Sequence, residues 1–261
     1  MSSPESPRIT YIGGPTALIE WQGVRLLTDP TFDPAGGDYT NGPVTLRKLL
    51  GPAIAFDALT PIDAVLLSHD QHFDNFDRAG RNITPKAKTV LTTTDGAGRL
   101  GGNAIGLIPW QTTELRTALG AALRITGTPA RHGIEGSESR SGPVTGFVLE
   151  PAHNTGDTIY LSGDTVWYEG VAEVARRFQI SIAIPNMGAA RVPSAGPDPV
   201  TMTADDGIQL ANAMPSATII PLHFEAWAHL TESKDFIAQK FLAAGLSQRL
   251  RWLEPGVPTA V

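Results

Sequence analysis

Four apolar runs in this chain each lead to one residue able to donate a lone pair: VLLSH ends at His69, ITGTPARH at His132, IYLSGD at Asp164 and IIPLH at His223. Short runs rich in Val, Ile and Leu read as strands. Strands hold terminal residues on a rigid scaffold, while the loops beyond them let polar tips meet in a cleft. A fold in which several of these strand ends converge would bring the four together. Imidazole nitrogens and carboxylate oxygens coordinate divalent metals at about 2 Å, so converging histidines make more sense around a cation than around each other. Singly, each residue has a plainer role: a strand-end histidine is as readily structural, and Asp164 in SGDT could organise a turn. The metal reading rests on the four together.

The first run opens into SHDQHFDNFD, from Ser68 to Asp77, with two histidines and three aspartates in ten residues. His72 and Asp74 are two residues apart and face one side if locally extended, and a turn can bring His69 towards them. Asp70, Asn75 and Asp77 read more simply as turn caps or solvent-facing groups. Phe73 and Phe76 are expected to anchor the loop by apolar burial. His153 and His229 read as supporting or structural groups.

The remaining chain reads as mixed α/β. TALIEW and VRLLTDP suggest strands joined by a turn at Gln22 and Gly23, followed by TFDPAGGDYTNGP as a surface connector near a pocket. DAVLLS, KTVLTTT, ALRITGTP, TGFVLE, DTIYLSGD, ISIAIP and ATIIPLHF are further strand candidates, with Gly156 and Asp157 favouring a hairpin. Val166, Val171, Val174, Ala175 and Phe178 have helical spacing, as do Asp205, Asp206, Leu210, Ala211 and Ala213. In ESKDFIAQKFLAAG, Phe236, Ile237, Lys240, Phe241 and Ala244 share a mostly apolar face, and Gly245 is a stop signal. VPSAGPDP reads as a long loop. No repeats or linker divide the chain, so one domain over residues 1–261 is expected, with two β-rich portions packed together and covered by helices.

Composition narrows the function. The chain has no cysteine, which removes disulfides, thiolate nucleophiles and thiolate ligands. A formal net charge of -6 disfavours broad attraction to nucleic acid or an anionic membrane surface. MSSPESPRIT has no long apolar segment and no uninterrupted transmembrane-length run occurs, so a cytoplasmic location is expected. Gly13 and Gly14 make no dinucleotide fingerprint, HDQH is not HExxH, and GDTVW is not a nucleophile elbow.

With these motifs in order, YIGGPTALIEWQGVRLLTDPTF, VLLSHDQHFDNFD, TPARHG, YLSGDTVW and IIPLHFEAW, the chain resembles the metallo-β-lactamase superfamily, especially its UlaG-like hydrolases. The resemblance spans nearly the whole chain. It implies an α/β fold, a four-layer αββα sandwich with metal-binding loops at one edge of two central sheets. The family loop is His-x-His-x-Asp-His. Anchored on Asp74, it puts His72 at the second histidine, Asn75 where the last would stand and Asp70 at the first, with His69 one residue early. The resemblance further implies His132 as the isolated third histidine, Asp164 as a carboxylate that often bridges two metals, and His223 as the final metal histidine. The expected ligands are His69, His72, Asp74, His132, Asp164 and His223, with Asp74 also catalytic, orienting water or receiving a proton. The expected cofactor is one or two divalent ions, zinc first and manganese second. The expected activity is hydrolysis of a small ester, lactone or phosphodiester substrate. Alternatives are a phosphodiesterase or ribonuclease, and a noncatalytic metal-stabilised binding protein.

Overall fold

The structure is a computed structural model and describes residues 6–117, 120, 122–152 and 156–261. His153 and its neighbours lie outside them. The first strands are β1 (Arg8–Gly13), β2 (Thr16–Trp21) and β3 (Val24–Thr28). Gln22 and Gly23 turn between β2 and β3 with φ of 51° and 71°, the left-handed backbone that a two-residue hairpin needs. Next come β4 (Asp38–Asn41), β5 (Val44–Arg47), β6 (Ala64–Leu66), β7 (Thr89–Thr92) and β8 (Ala104–Gly106). The later strands are β9 (Thr112–Arg116), β10 (Ala122–Pro129), β11 (Thr145–Pro151), β12 (Ile159–Leu161), β13 (Ile182–Ile184), β14 (Thr218–Ile219) and β15 (Thr259–Ala260).

Two sheets contain all but two of these strands. One runs β15-β1-β2-β3-β6-β7-β8 and the other β14-β13-β12-β11-β10-β9, with β4-β5 standing apart as a hairpin. Period-two alternation assigns the faces of the first sheet. Ala17, Ile19, Val24, Leu26, Ala64, Leu66 and Leu91 join a core shared with Leu123, Ile125, Phe147 and Leu149 of the second sheet. Their alternates Leu18, Leu27, Val65 and Val90 pack outward with Phe56, Phe76 and Ile83.

Helices α1 (Arg78–Ile83) and α2 (Thr94–Leu100) belong to the first sheet, and α3 (Glu138–Ser141) is a single turn near the site. Helices α4 (Glu169–Arg177), α5 (Ala204–Ala213) and α6 (Lys234–Ala243) put Val171, Val174, Leu210, Ile237 and Phe241 into the central core. The result is the αββα sandwich. No helix among the described residues is long and apolar enough to cross a membrane.

Three expectations change. Val166 and Phe178 flank α4 rather than lying in it. Phe236 is exposed, because α6 buries only the narrower stripe of Ile237 and Phe241. TFDPAGGDYTNGP is more than a connector: it supplies β4, whose Tyr39 is buried against Phe73 and Trp227.

Strand direction concentrates the site. β3, β6 and β7 are mutually parallel, as are β12, β13 and β14. β10 is antiparallel to β11, which is antiparallel to β12, so β10 also runs with β12. The carboxyl ends of β6, β10, β12 and β14 carry His69, His132, Asp164 and His223, each three or four residues past the last strand residue. A backbone bond from Thr145 N to Ser68 O, 3.0 Å, joins the two sheets there.

Candidate metal centre

His69, His72 and His132 form one group whose ligand-type nitrogens lie within 4.8 Å of one another. Their hydrogen bonds fix which nitrogens are bare. Ser68 Oγ donates its single proton to Asp29 Oδ2 at 2.9 Å, so at 2.9 Å from His69 Nδ1 it must accept. His132 Nδ1 faces the Val200 carbonyl at 2.6 Å and must donate. Both rings therefore turn an unprotonated Nε2 inward, His69 at 2.9 Å and His132 at 3.2 Å from His72 Nδ1. Ligands about 2.0–2.1 Å from a tetrahedral ion sit roughly 3.3–3.4 Å apart, close to these separations. Burial, reinforced by His72, pushes the His69 pKa down to about 3, and burial with His132 nearby pushes His72 to about 4. These two rings are thus neutral near neutral pH, the form in which imidazole binds a metal.

Asp74, His223 and His229 form a second group of the same tightness. His229 Nε2 is 2.9 Å from Asp74 Oδ2, and His223 Nε2 is 3.4 Å from the same oxygen. Burial alone would raise the Asp74 pKa, but the His223 and His229 imidazoles hold it well below the usual carboxylate range. Burial likewise opposes the His223 imidazolium, yet Asp164 and Asp74 raise its pKa. His223 adopts φ of 54°, a costly conformation for a non-glycine residue, and its N–H is held by Gly14 O at 2.8 Å.

Asp164 lies between the groups. Its Oδ2 is 3.8 Å from His132 Nε2 and 3.7 Å from His223 Nε2. Its Oδ1 accepts from Asn75 Nδ2 at 3.2 Å and Asn186 Nδ2 at 2.8 Å. The SGD turn fits because residue 163 is glycine: φ is 58°, and an added Cβ would stand 2.6 Å from Thr145 O. Asp164 Oδ2, Asp74 Oδ1 and His223 Nε2 are buried without a hydrogen-bond partner. Buried polar atoms without partners are costly, and two of these, Asp164 Oδ2 and His223 Nε2, stand 3.7 Å apart. This donor set fits divalent cations.

The sequence profile of the beta-lactamase superfamily domain matches residues 24–224. The chain belongs to the metallo-β-lactamase superfamily. Protein YddR of Bacillus subtilis is 27% identical over 256 residues, covering 95% of this chain and 97% of YddR. Among solved structures, a possible metal-dependent hydrolase from Veillonella parvula aligns with TM-score 0.84 and 21% identity, covering 98% of this chain and 100% of that one. An isothiocyanate hydrolase from Delia radicum gut bacteria aligns with TM-score 0.80 and 24% identity over 97% and 98% of the two chains.

In the irregular loop it is His69 that lies with His72 and His132. Asp70 turns away, and its carboxylate takes a two-pronged hydrogen bond from Arg99, Nε to Oδ2 at 2.7 Å and Nη2 to Oδ1 at 2.6 Å. Asp77 caps α1 through Gly80 N at 2.8 Å and pairs with buried Lys48 at 2.7 Å. Phe76 is buried as an anchor, whereas Phe73 lines the cavity above the site. Asp70→Asn should therefore leave the bound metal per chain unchanged and cost about 1 kcal/mol or less, since Arg99 is half exposed. Elemental analysis and urea unfolding of the variant check both parts.

His229 is the residue whose place the sequence did not reveal. No apolar run leads to it, and the pattern that located the others could not find it. A cavity of about 390 Å³ opens over both groups, with His72, Asp74, His132 and His229 at its lining. Val44 and Leu46 of the β4–β5 hairpin, Phe73, Val192 and Val200 supply apolar wall. Arg140, on α3, is the one other charged side chain lining it among the described residues.

Proposed function

We propose that this chain is a metal-dependent hydrolase whose substrate is a small, largely apolar ester or lactone. The observation that carries the reading is the cavity: two tight groups of ligand-type atoms lie beneath a small space with mostly apolar walls. His69, His72 and His132 would hold one cation, Asp74 and His223 would serve a second, and Asp164 Oδ2 would face both. A bound divalent cation lowers the pKa of its water and polarises the scissile oxygen. Zinc is the first candidate and manganese the second, because every donor is nitrogen or oxygen.

The chain's own residues supply the rest. Asp74 stays ionised, and its Oδ1, free of protein partners, orients the attacking water and can take its proton. The cavity walls exclude bulk water and bind the apolar body of the substrate. A nucleic-acid backbone needs several cations along its path, whereas this cavity offers Arg140 alone. Arg140 does favour a second reading, a small phosphodiester or another substrate with one anionic group.

A matched panel of esters, lactones and small phosphodiesters, assayed with loaded protein, metal-stripped protein and Asp74→Ala, tests the reading. Turnover should vanish on stripping and return with zinc or manganese. Metal-independent turnover would refute it, and metal-dependent stabilisation with no turnover across the panel would favour a binding protein. Arg140→Gln should raise KM for anionic substrates by roughly three- to tenfold, the scale of one partly exposed charged contact, and leave neutral ones unchanged. Equal effects on both would remove Arg140 from recognition.

A further inference from the structure

We infer that His229 has taken the place of the histidine missing from the family loop at Asn75, completing a second cation position that is the weaker of the two. This rests on the metal reading above. The loop residue at 75 is buried and has no imidazole to offer the second group; its Nδ2 donates to Asp29 Oδ2 and Asp164 Oδ1, each at 3.2 Å. With Asn186, it occupies Asp164 Oδ1 and leaves Oδ2 bare between the groups. The vacated duty falls to a residue 155 positions beyond Asp74 in sequence, whose Nε2 is 2.9 Å from Asp74 Oδ2.

The segment carrying His229 is built to hold it. Trp227 bridges to Lys48, Leu230 bridges to Ala190, and the His229 carbonyl accepts from Arg191 N at 3.0 Å. Ala226, with φ of 76°, turns the chain into this segment. The indole of Trp227, buried against Tyr39, lies 6.4 Å from the His229 ring. A ring fixed at both flanks and aimed at a carboxylate is a prepared donor rather than a passing surface histidine.

The asymmetry follows from what lies behind each ring. A metal-binding imidazole is oriented and made more basic by an acceptor on its other nitrogen, and loss of that acceptor costs about 10–100-fold in affinity. In the first group His69 has the Ser68–Asp29 relay and His132 has the Val200 carbonyl. In the second group the Nδ1 atoms of His223 and His229 are both buried with no such partner among the described residues. Two rings of the first position are therefore backed, and neither ring of the second is.

Titration of metal-free protein with cobalt(II), read by visible absorption and competed by a chelator, tests this. Two equivalents should bind, the first at least about tenfold tighter than the second. His229→Ala, and the bulkier His229→Gln should the alanine variant fold poorly, should abolish the second step and leave the first within about threefold, with unchanged far-ultraviolet circular dichroism. Asn75→Ala should keep two equivalents. A second equivalent bound with wild-type affinity by the His229 variants would overturn the inference, as would a single equivalent in the wild type or two of equal affinity. No cobalt bound at all would overturn the metal reading with it.

Discussion

Asp164→Asn is expected to lower turnover by about 1,000-fold or more while leaving the metal-free protein almost as stable as the wild type. The asparagine Oδ1 can still accept from Asn75 and Asn186, the two bonds that fix the side chain. It loses the charge on the atom facing both groups, 3.8 Å from His132 Nε2 and 3.7 Å from His223 Nε2. A carboxylate between the two proposed cation positions should matter more than an outer partner, whose loss costs about 10–100-fold in affinity, and at least as much as one electrostatic contact in a transition state, about 100–1,000-fold.

In the absence of metal the ledger differs. Asp29, Asp74 and Asp164 crowd one buried region, and Asp164 helps raise Asp29 to about 7, after burial as the main cause. Removing one charge relieves that repulsion and weakens the attraction to His223. Opposite in sign, the two changes should leave metal-free stability within about 1 kcal/mol of wild type. The loss should reappear on adding metal: a 100-fold weaker site forfeits about 2.7 kcal/mol of ligand stabilisation. Thermal unfolding with and without zinc, beside a turnover assay, separates these effects. Wild-type turnover together with the full zinc-dependent rise in Tm would exclude Asp164 from the centre.

The parts of this site readable in the sequence were those that local pattern encodes. His132, Asp164 and His223 each follow a strand-like run, and parallel strands bring such ends to one edge. His69 was ambiguous because the loop spacing is offset by one residue, and the decisive fact is tertiary: Arg99, on α2, draws Asp70 outward. His229 was hidden for a related reason. Its segment owes its position to long-range bridges with Lys48 and Ala190, which leave no periodic trace. The β4–β5 hairpin was missed because its strands are short, polar and exposed apart from Tyr39, Val44 and Leu46, so they lack the alternation that reports burial. The fold class was legible because it depends on many such runs at once.

The metal-free protein should be most stable near pH 6.5 and should weaken on both sides, with histidines rather than surface charges setting the acid limb. His69 and His72 titrate near 3 and 4 in the folded chain and near 6.5 once unfolded. Between about pH 4 and 6.5 the unfolded chain therefore binds about two more protons at these rings than the folded chain. Asp29 opposes them, because at about 7 it is protonated when folded and ionised when unfolded throughout that window. The net excess is about one proton in the unfolded state, so stability should fall by about 1.4 kcal/mol for each unit that pH drops. The depressed carboxyls Asp74 and Asp164 add to this loss only near and below pH 4. Above pH 6.5 the sign reverses: His223, with its raised pKa, keeps its proton in the folded state after the unfolded chain has released it. Stability then declines as pH rises through the folded value. Urea unfolding of metal-stripped protein at half-unit steps from pH 4.5 to 8 should trace this dome. His69→Gln should flatten the acid limb and Asp29→Asn should steepen it, because each removes a contribution of opposite sign. An acid limb unchanged in both variants would mean that other groups govern it, and would remove the basis for treating the His69 and His72 lone pairs as free at neutral pH.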